Sequence, residues 1–152
     1  MDMKAYIGIG IPGSGKTTLL APLADKEGLA YINRDDIRQE LTGDATNHSK
    51  EPAVTQLMYQ RMAEGLKKNG VVVDATHTKL KDRRSVIEFC RQHGATEIIG
   101  YWINVPLDVS LLRNRGRQRQ VPEEALAHMQ NRLEINPPTR AEGFDEIIEV
   151  SE

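Results

Sequence analysis

Apolar positions along the chain follow two alternating patterns. Short runs, AYIGIG at 5–10, VVVD at 71–74, EIIGYWI at 97–103 and EIIEV at 146–150, have the length and β-branched content of buried strands. A shorter run at Leu29–Ile32 reads the same way. Between them, apolar residues recur at helical spacing. Leu19, Leu20 and Leu23 form one face of a helix from Lys16 to about Lys26, and a further helix begins near Asp35. Val54, Leu57, Met58, Met62 and Leu66 mark a helix running to a stop at Asn69-Gly70. Others span Leu80 to His93, follow Pro106 into an arginine-rich stretch, and follow Pro122 with Leu126, Met129 and Leu133 inward until the NPP at 136–138.

Strand–helix alternation predicts one α/β domain over residues 1–152, with three layers and a parallel sheet of about five strands. Right-handed crossovers gather the C-terminal strand ends on one edge, where ligands bind in such folds. The loops after the first three strands, and the segment before Pro122, are therefore expected to converge on one crevice.

Composition narrows the setting. A domain of this length buries roughly 68–70% of its unfolded surface, so it needs no disulfide or structural metal. The single cysteine, Cys90, excludes an internal disulfide and fits a reducing compartment. No apolar run approaches the roughly 20 residues that span a bilayer, and MDMKAYIGIG lacks the features of a secretory signal. A cytoplasmic location without a membrane partner is the expectation. The net charge of −2 argues against a general nucleic-acid binder. Arg113, Arg115, Arg117 and Arg119 nevertheless lie in a stretch free of acids, so a polyanion would meet a local basic patch. A homo-oligomer is compatible with this surface.

The segment after the first strand carries the most specific chemistry. Gly10-Ile11-Pro12-Gly13-Ser14-Gly15-Lys16-Thr17 fits GxxxxGK[ST], between a strand and a helix. Glycines let successive backbone N–H groups curl around an anion, and the following helix adds its positive end. Lys16 supplies a full charge to the β- and γ-phosphates, and the Thr17 hydroxyl suits the octahedral shell of Mg²⁺. Gly10, Pro12, Gly13, Ser14, Gly15, Lys16, Thr17 and Thr18 are thus candidates for binding ATP, with Mg²⁺ on Thr17.

Three further blocks, INRDDIRQ at 32–39, VDATH at 73–77 and RNRGRQRQVPEEALAHMQNRL at 113–133, accompany GIPGSGKTT at 10–18. In this order the four resemble the kinase domain of phage polynucleotide kinase and the wider group of polynucleotide-kinase-like P-loop phosphotransferases. The resemblance implies transfer of the ATP γ-phosphate to the 5′-hydroxyl end of DNA or RNA, beneath an arginine-bearing helical lid. Phage enzymes of this type often continue into a phosphatase domain. The chain ends before one, so no 3′-phosphatase activity is expected.

Residue by residue, Asp35 matches the family's general base, and a carboxylate within about 2.6–3.2 Å of a hydroxyl can take its proton. Arg38, on the same helical face, matches the position holding the acceptor's phosphate, and Arg34 is a further candidate for that contact. Asp36 is read as the helix cap. Asp74 either positions the magnesium shell, directly or through water, or orients acceptor-binding groups beside Thr76. His77 stands where the family commonly has Asn, and is read as structural. Lys79, Lys81, Arg83 and Arg84 read as a solvated helix start.

Arg113 matches the first lid arginine. The second corresponds to Arg115 by its glycine neighbour or to Arg117 by its distance from Arg113, and the distance favours Arg117 as catalytic. Arg115 is then a nucleotide contact, Arg119 solvated, and Val121 an apolar contact for the acceptor's base. Two other functions fit the same motifs: a kinase of a small-molecule or tRNA-linked hydroxyl, and a nucleotide-binding switch without catalysis.

Overall fold

The computed structural model describes residues 2–151. Its elements run β1 (Lys4–Ile9), α1 (Lys16–Glu27), β2 (Ala30–Asn33), α2 (Arg34–Thr42), α3 (Glu51–Leu66), β3 (Gly70–Asp74), α4 (Leu80–Gln92), β4 (Glu97–Ile103), α5 (Leu107–Arg115), α6 (Glu123–Ile135) and β5 (Glu146–Val150), with a short 3₁₀ turn at Arg140–Glu142 before β5. The five strands form one parallel sheet in the order β2-β3-β1-β4-β5. This is the three-layer α/β fold of P-loop kinases.

Side-chain alternation along β1 divides the core. Ala5, Ile7 and Ile9 join a large cluster with Val54, Met58 and Met62 of α3, Val86 and Ile87 of α4, and Leu126 and Leu133 of α6. Tyr6 points the other way, to Leu20 and Ala24 of α1 together with Val72 and Ile99. Full burial of a leucine such as Leu20 contributes roughly 1.5–3 kcal/mol. Gly8 lets α1 approach this closely, since a Cβ there would lie 2.3 Å from a Leu20 methyl. β3 is buried at all five positions, which is why its run of valines shows no alternation.

The apolar pattern located every element, with differences at the ends. Leu19 is not on the inner face of α1: it is 39% exposed, and Leu20 and Ala24 face the sheet instead. α3 stops at Leu66, ahead of Asn69-Gly70, because Gly70 already belongs to β3 with φ 119°. α2 begins at Arg34, and Asn33, not Asp36, caps it by accepting a hydrogen bond from the Asp36 backbone N–H at 3.1 Å.

Arg83 is the largest correction. It is fully buried at the start of α4 rather than solvated. Its Nε lies 2.6 Å from Oε1 of Glu142, and its other nitrogens donate to the carbonyls of His77 (3.1 Å) and Asn136 (2.7 Å). One guanidinium thereby joins α4, the loop after β3, the end of α6 and the 3₁₀ turn. Removing one partner of a buried ion pair strands the other charge. Arg83→Ala is therefore expected to destabilise the fold by about 3–5 kcal/mol, read from the urea midpoint at unchanged slope; a loss below about 1 kcal/mol would contradict the tethering role.

Candidate active site

The loop after β1 turns tightly into α1. Gly13 and Gly15 take φ of 84° and 96°, which L-residues rarely adopt. Space enforces the first of these as well, since a Cβ on Gly13 would lie 2.5 Å from the Ser110 carbonyl oxygen of α5. The loop thus rests directly on α5. α1 begins at Lys16 without a side-chain cap, leaving its N-terminal N–H groups to the loop's concavity.

Asp74, at the end of β3, organises what lies beneath. Its carboxylate is 2% exposed. One oxygen pairs with Lys16 Nζ at 2.9 Å. The other accepts from the Thr17 hydroxyl at 2.9 Å, from the Tyr31 hydroxyl, and from the Asn33 amide at 3.3 Å. Burial pushes this carboxyl up, but Lys16, Tyr31 and Thr17 outweigh it and hold it below the ordinary carboxylate range. Asp74 is thus ionised, locking Lys16 and Thr17 to the sheet.

A cleft of about 250 Å³ lies over the loop, lined by residues 11–18 together with Asp35, Thr76, Arg113, Arg117 and Val121. Residues from the loop after β1, the start of α2, the loop after β3 and the segment before Pro122 therefore share one wall. β2 is separated from β1 by β3, so Asp35 reaches the cleft from the far side of β3 rather than from a strand next to the loop.

Asp35 does not stand alone. Arg38 Nη1 lies 2.7 Å from its carboxylate, while Arg38 Nε and Nη2 grip both oxygens of Glu51 at 3.1 and 2.7 Å. Nη1 also donates to the Ala45 carbonyl, and the whole residue is 5% exposed. Arg38 is thus a buried brace between α2 and α3, absent from the cleft wall. Burial pushes the Glu51 carboxyl up, but hydrogen bonds from Arg38 and His48 reverse this and bring it down to about 2.

The four lid arginines divide, two toward the cleft and two away from it. Arg113 faces the cleft and donates to the Ser14 carbonyl at 2.9 Å. Arg117 lines the cleft, Arg115 turns out to an exposed pair with Glu123 at 2.8 Å, and Arg119 reaches Gln39 of α2 at 3.4 Å. Of the two candidates for the second lid position, Arg117 is thus the one at the cleft, and Arg115 is not brought there. Buried Asn114, which carries no motif or periodicity that singles it out, pins the returning chain by bonding both the carbonyl and the N–H of Val121 at 2.7 and 2.9 Å.

A second cavity, of about 190 Å³, adjoins the first and is lined by Arg34, Thr55, Met58, Tyr59, Ala75, Thr76, His77, Asp82 and Val86. Arg34 donates to Thr55 Oγ1 at 3.0 Å there. His77 is 5% exposed, with φ 48° and Nδ1 2.6 Å from the Gly8 carbonyl oxygen.

The loop suits a nucleoside triphosphate by its glycine geometry, its helix N-terminus and Lys16. Thr17 and Asp74 offer hard oxygen donors that suit Mg²⁺. Among the described residues no group of three or more His, Cys, Asp or Glu side chains is placed to hold a metal. An ion held by one or two protein oxygens plus phosphates fits that donor set.

Fold and loop together define a P-loop nucleotide-binding protein with the kinase architecture. The chain belongs to the AAA-domain family, whose profile matches residues 6–135. A shikimate kinase of Corynebacterium glutamicum is 28% identical over 145 residues, covering 91% of this chain and 82% of the relative. A chain in the structure of the Pnkp1/Rnl/Hen1 RNA repair complex superposes with a TM-score of 0.78 at 24% identity, over 88% of this chain. This chain spans 45% of that one, less than half its length. A gluconokinase of Sinorhizobium meliloti 1021 gives a TM-score of 0.61 at 18% identity, over 97% of this chain and 82% of the other.

The Arg38–Glu51 brace has a pH signature. Its depressed carboxyl contributes stability that is complete above the ordinary value of 4.5 and is lost as pH falls toward about 2. Between about pH 5 and pH 3, the urea midpoint of the wild type is expected to fall further than that of Glu51→Gln. Parallel declines in the two proteins would show that the brace does not carry this dependence.

Proposed function

We propose that this protein is an ATP-dependent phosphotransferase acting on a hydroxyl acceptor, and that the acceptor is the 5′-hydroxyl end of a polynucleotide. The observation that carries the first part is the placement of Asp35 across one cleft from the phosphate loop, Lys16 and Arg113. The second part is supported by the NRDD-x-R block and by the fold shared with a chain of an RNA repair complex.

Bound ATP supplies the transferable phosphoryl group, and bound Mg²⁺ neutralises its charge. Asp35 accepts the proton of the attacking hydroxyl. Its ion pair with Arg38 orients the carboxylate. Lys16 and Arg113 stabilise negative charge on the phosphate oxygens, with Arg117 placed to add a second guanidinium. Thr17 and Asp74 would hold the shell of a bound Mg²⁺. Val121, fixed by Asn114, forms the apolar lip of the cleft.

A second reading has its own observation. Arg38 is engaged by Asp35, Glu51 and Ala45 and is 5% exposed, so it offers little to an acceptor phosphate. That favours a small-molecule hydroxyl, in keeping with the shikimate kinase relative.

Incubation with γ-labelled ATP, 5′-hydroxyl oligonucleotides, shikimate and gluconate separates the two. Label on oligonucleotides supports the first reading, and label confined to the small molecules replaces it with the second. Asp35→Asn is expected to lower transfer by about 10²–10⁴-fold while ATP still binds by calorimetry. Full transfer in that variant would remove Asp35 as the base.

A further inference from the structure

The second cavity shares a wall with the nucleotide cleft. Thr76 lines both, and the consecutive residues Arg34 and Asp35 line one each. A group held in the second cavity therefore sits beside a hydroxyl presented to Asp35. At about 190 Å³ the cavity has the volume of about six waters at roughly 30 Å³ each, which suits one sugar-sized group.

His77 is the unusual wall residue. Its positive φ of 48° is uncommon for a residue other than glycine, although His, like Asn, is among those that tolerate it. Nδ1 lies 2.6 Å from the Gly8 carbonyl oxygen, and a carbonyl can only accept, so Nδ1 carries the hydrogen. Burial brings the ring's pKa down to about 4, against the Gly8 bond, so the imidazole is neutral at pH 7. Nε2 is then a lone-pair acceptor with its tautomer fixed. Among the described residues it has no hydrogen-bond partner, and it is not sealed from the cavity although the residue is 5% exposed. An acceptor of this kind can take a hydrogen bond from water or from a donor on a molecule bound in the cavity.

On the sugar–phosphate backbone of a polynucleotide 5′ end the choice of donor is narrow. The 3′-oxygen is esterified, and phosphate oxygens at neutral pH only accept. The sugar's one other hydroxyl is the 2′-hydroxyl, whose presence distinguishes RNA from DNA. Arg34, on the same wall, supplies positive charge for the phosphate that follows that sugar.

We propose that His77 is a specificity-determining residue whose Nε2 accepts a hydrogen bond from the 2′-hydroxyl of the acceptor's terminal sugar, giving preference for RNA 5′ ends. This rests on the polynucleotide reading above.

The test uses the full chain, γ-labelled ATP and two 5′-hydroxyl oligonucleotides of one sequence, differing only by a 2′-hydroxyl on the first sugar. The wild type is expected to favour the ribose end in kcat/KM by roughly 3–10-fold, the net worth of one hydrogen bond. His77→Asn tolerates the positive φ and can still donate to Gly8, but it is too short to replace Nε2. It is expected to bring the ratio to within about twofold of one, chiefly by loss on the ribose substrate. His77→Gln, with an acceptor oxygen at longer reach, is expected to retain part of the preference.

Equal labelling of both oligonucleotides by the wild type overturns the role of His77 and leaves the 5′-hydroxyl reading standing. A ribose preference that His77→Asn leaves intact places its source elsewhere. Label on neither oligonucleotide overturns both proposals.

Discussion

The site depends on keeping one carboxylate charged inside the protein. Asp74 ends a fully buried strand, where an unpaired charge would cost several kcal/mol. Both oxygens are therefore saturated, by Lys16 on one side and by Thr17, Tyr31 and Asn33 on the other. Those partners come from the phosphate loop with its helix and from β2, on opposite sides of β3. Satisfying Asp74 thus ties the loop to β2, and because Asn33 also caps α2, the same carboxylate helps to fix the first turn of the helix that carries Asp35.

A second tether acts on the other side of the second cavity. Arg83 holds the His77 carbonyl, while the His77 ring holds the Gly8 carbonyl. The loop after β3 is fixed between the central strand β1 and the α4–α6 face. Its left-handed residue persists because contacts on both sides hold it. A wall built this way presents its polar atoms in one arrangement, which recognition of a hydroxyl requires.

What could be read from the sequence was local. The phosphate loop announces itself because strand, loop spacing and helix follow one another directly in the chain, and VVVD revealed a central strand because burial on both faces removes alternation. Arg38, Arg83, His77 and Asn114 could not be placed that way. Arg83 meets Glu142, 59 positions away, and His77 meets Gly8, 69 away. A run of charges at a helix start looks solvated until the partner that buries one of them is known. Likewise, four arginines at alternate positions were bound to diverge. Which of them faces the cleft depended on Glu123 and Gln39 drawing two of them elsewhere.

The two cavities differ in what their walls can tolerate. The nucleotide cleft is built on a loop fixed in place, with Gly13 held against α5 and Lys16 and Thr17 held by Asp74, so a change there strains the loop or strands a charge. The second cavity is lined from α3 and α4 by Thr55, Met58, Tyr59, Asp82 and Val86, side chains that can change size and polarity while the sheet stays as it is. A fold divided in this way keeps its phosphate chemistry while its acceptor varies. In the reading proposed above, the second cavity specifies the acceptor, and His77 is the residue of its wall whose tautomer is already fixed.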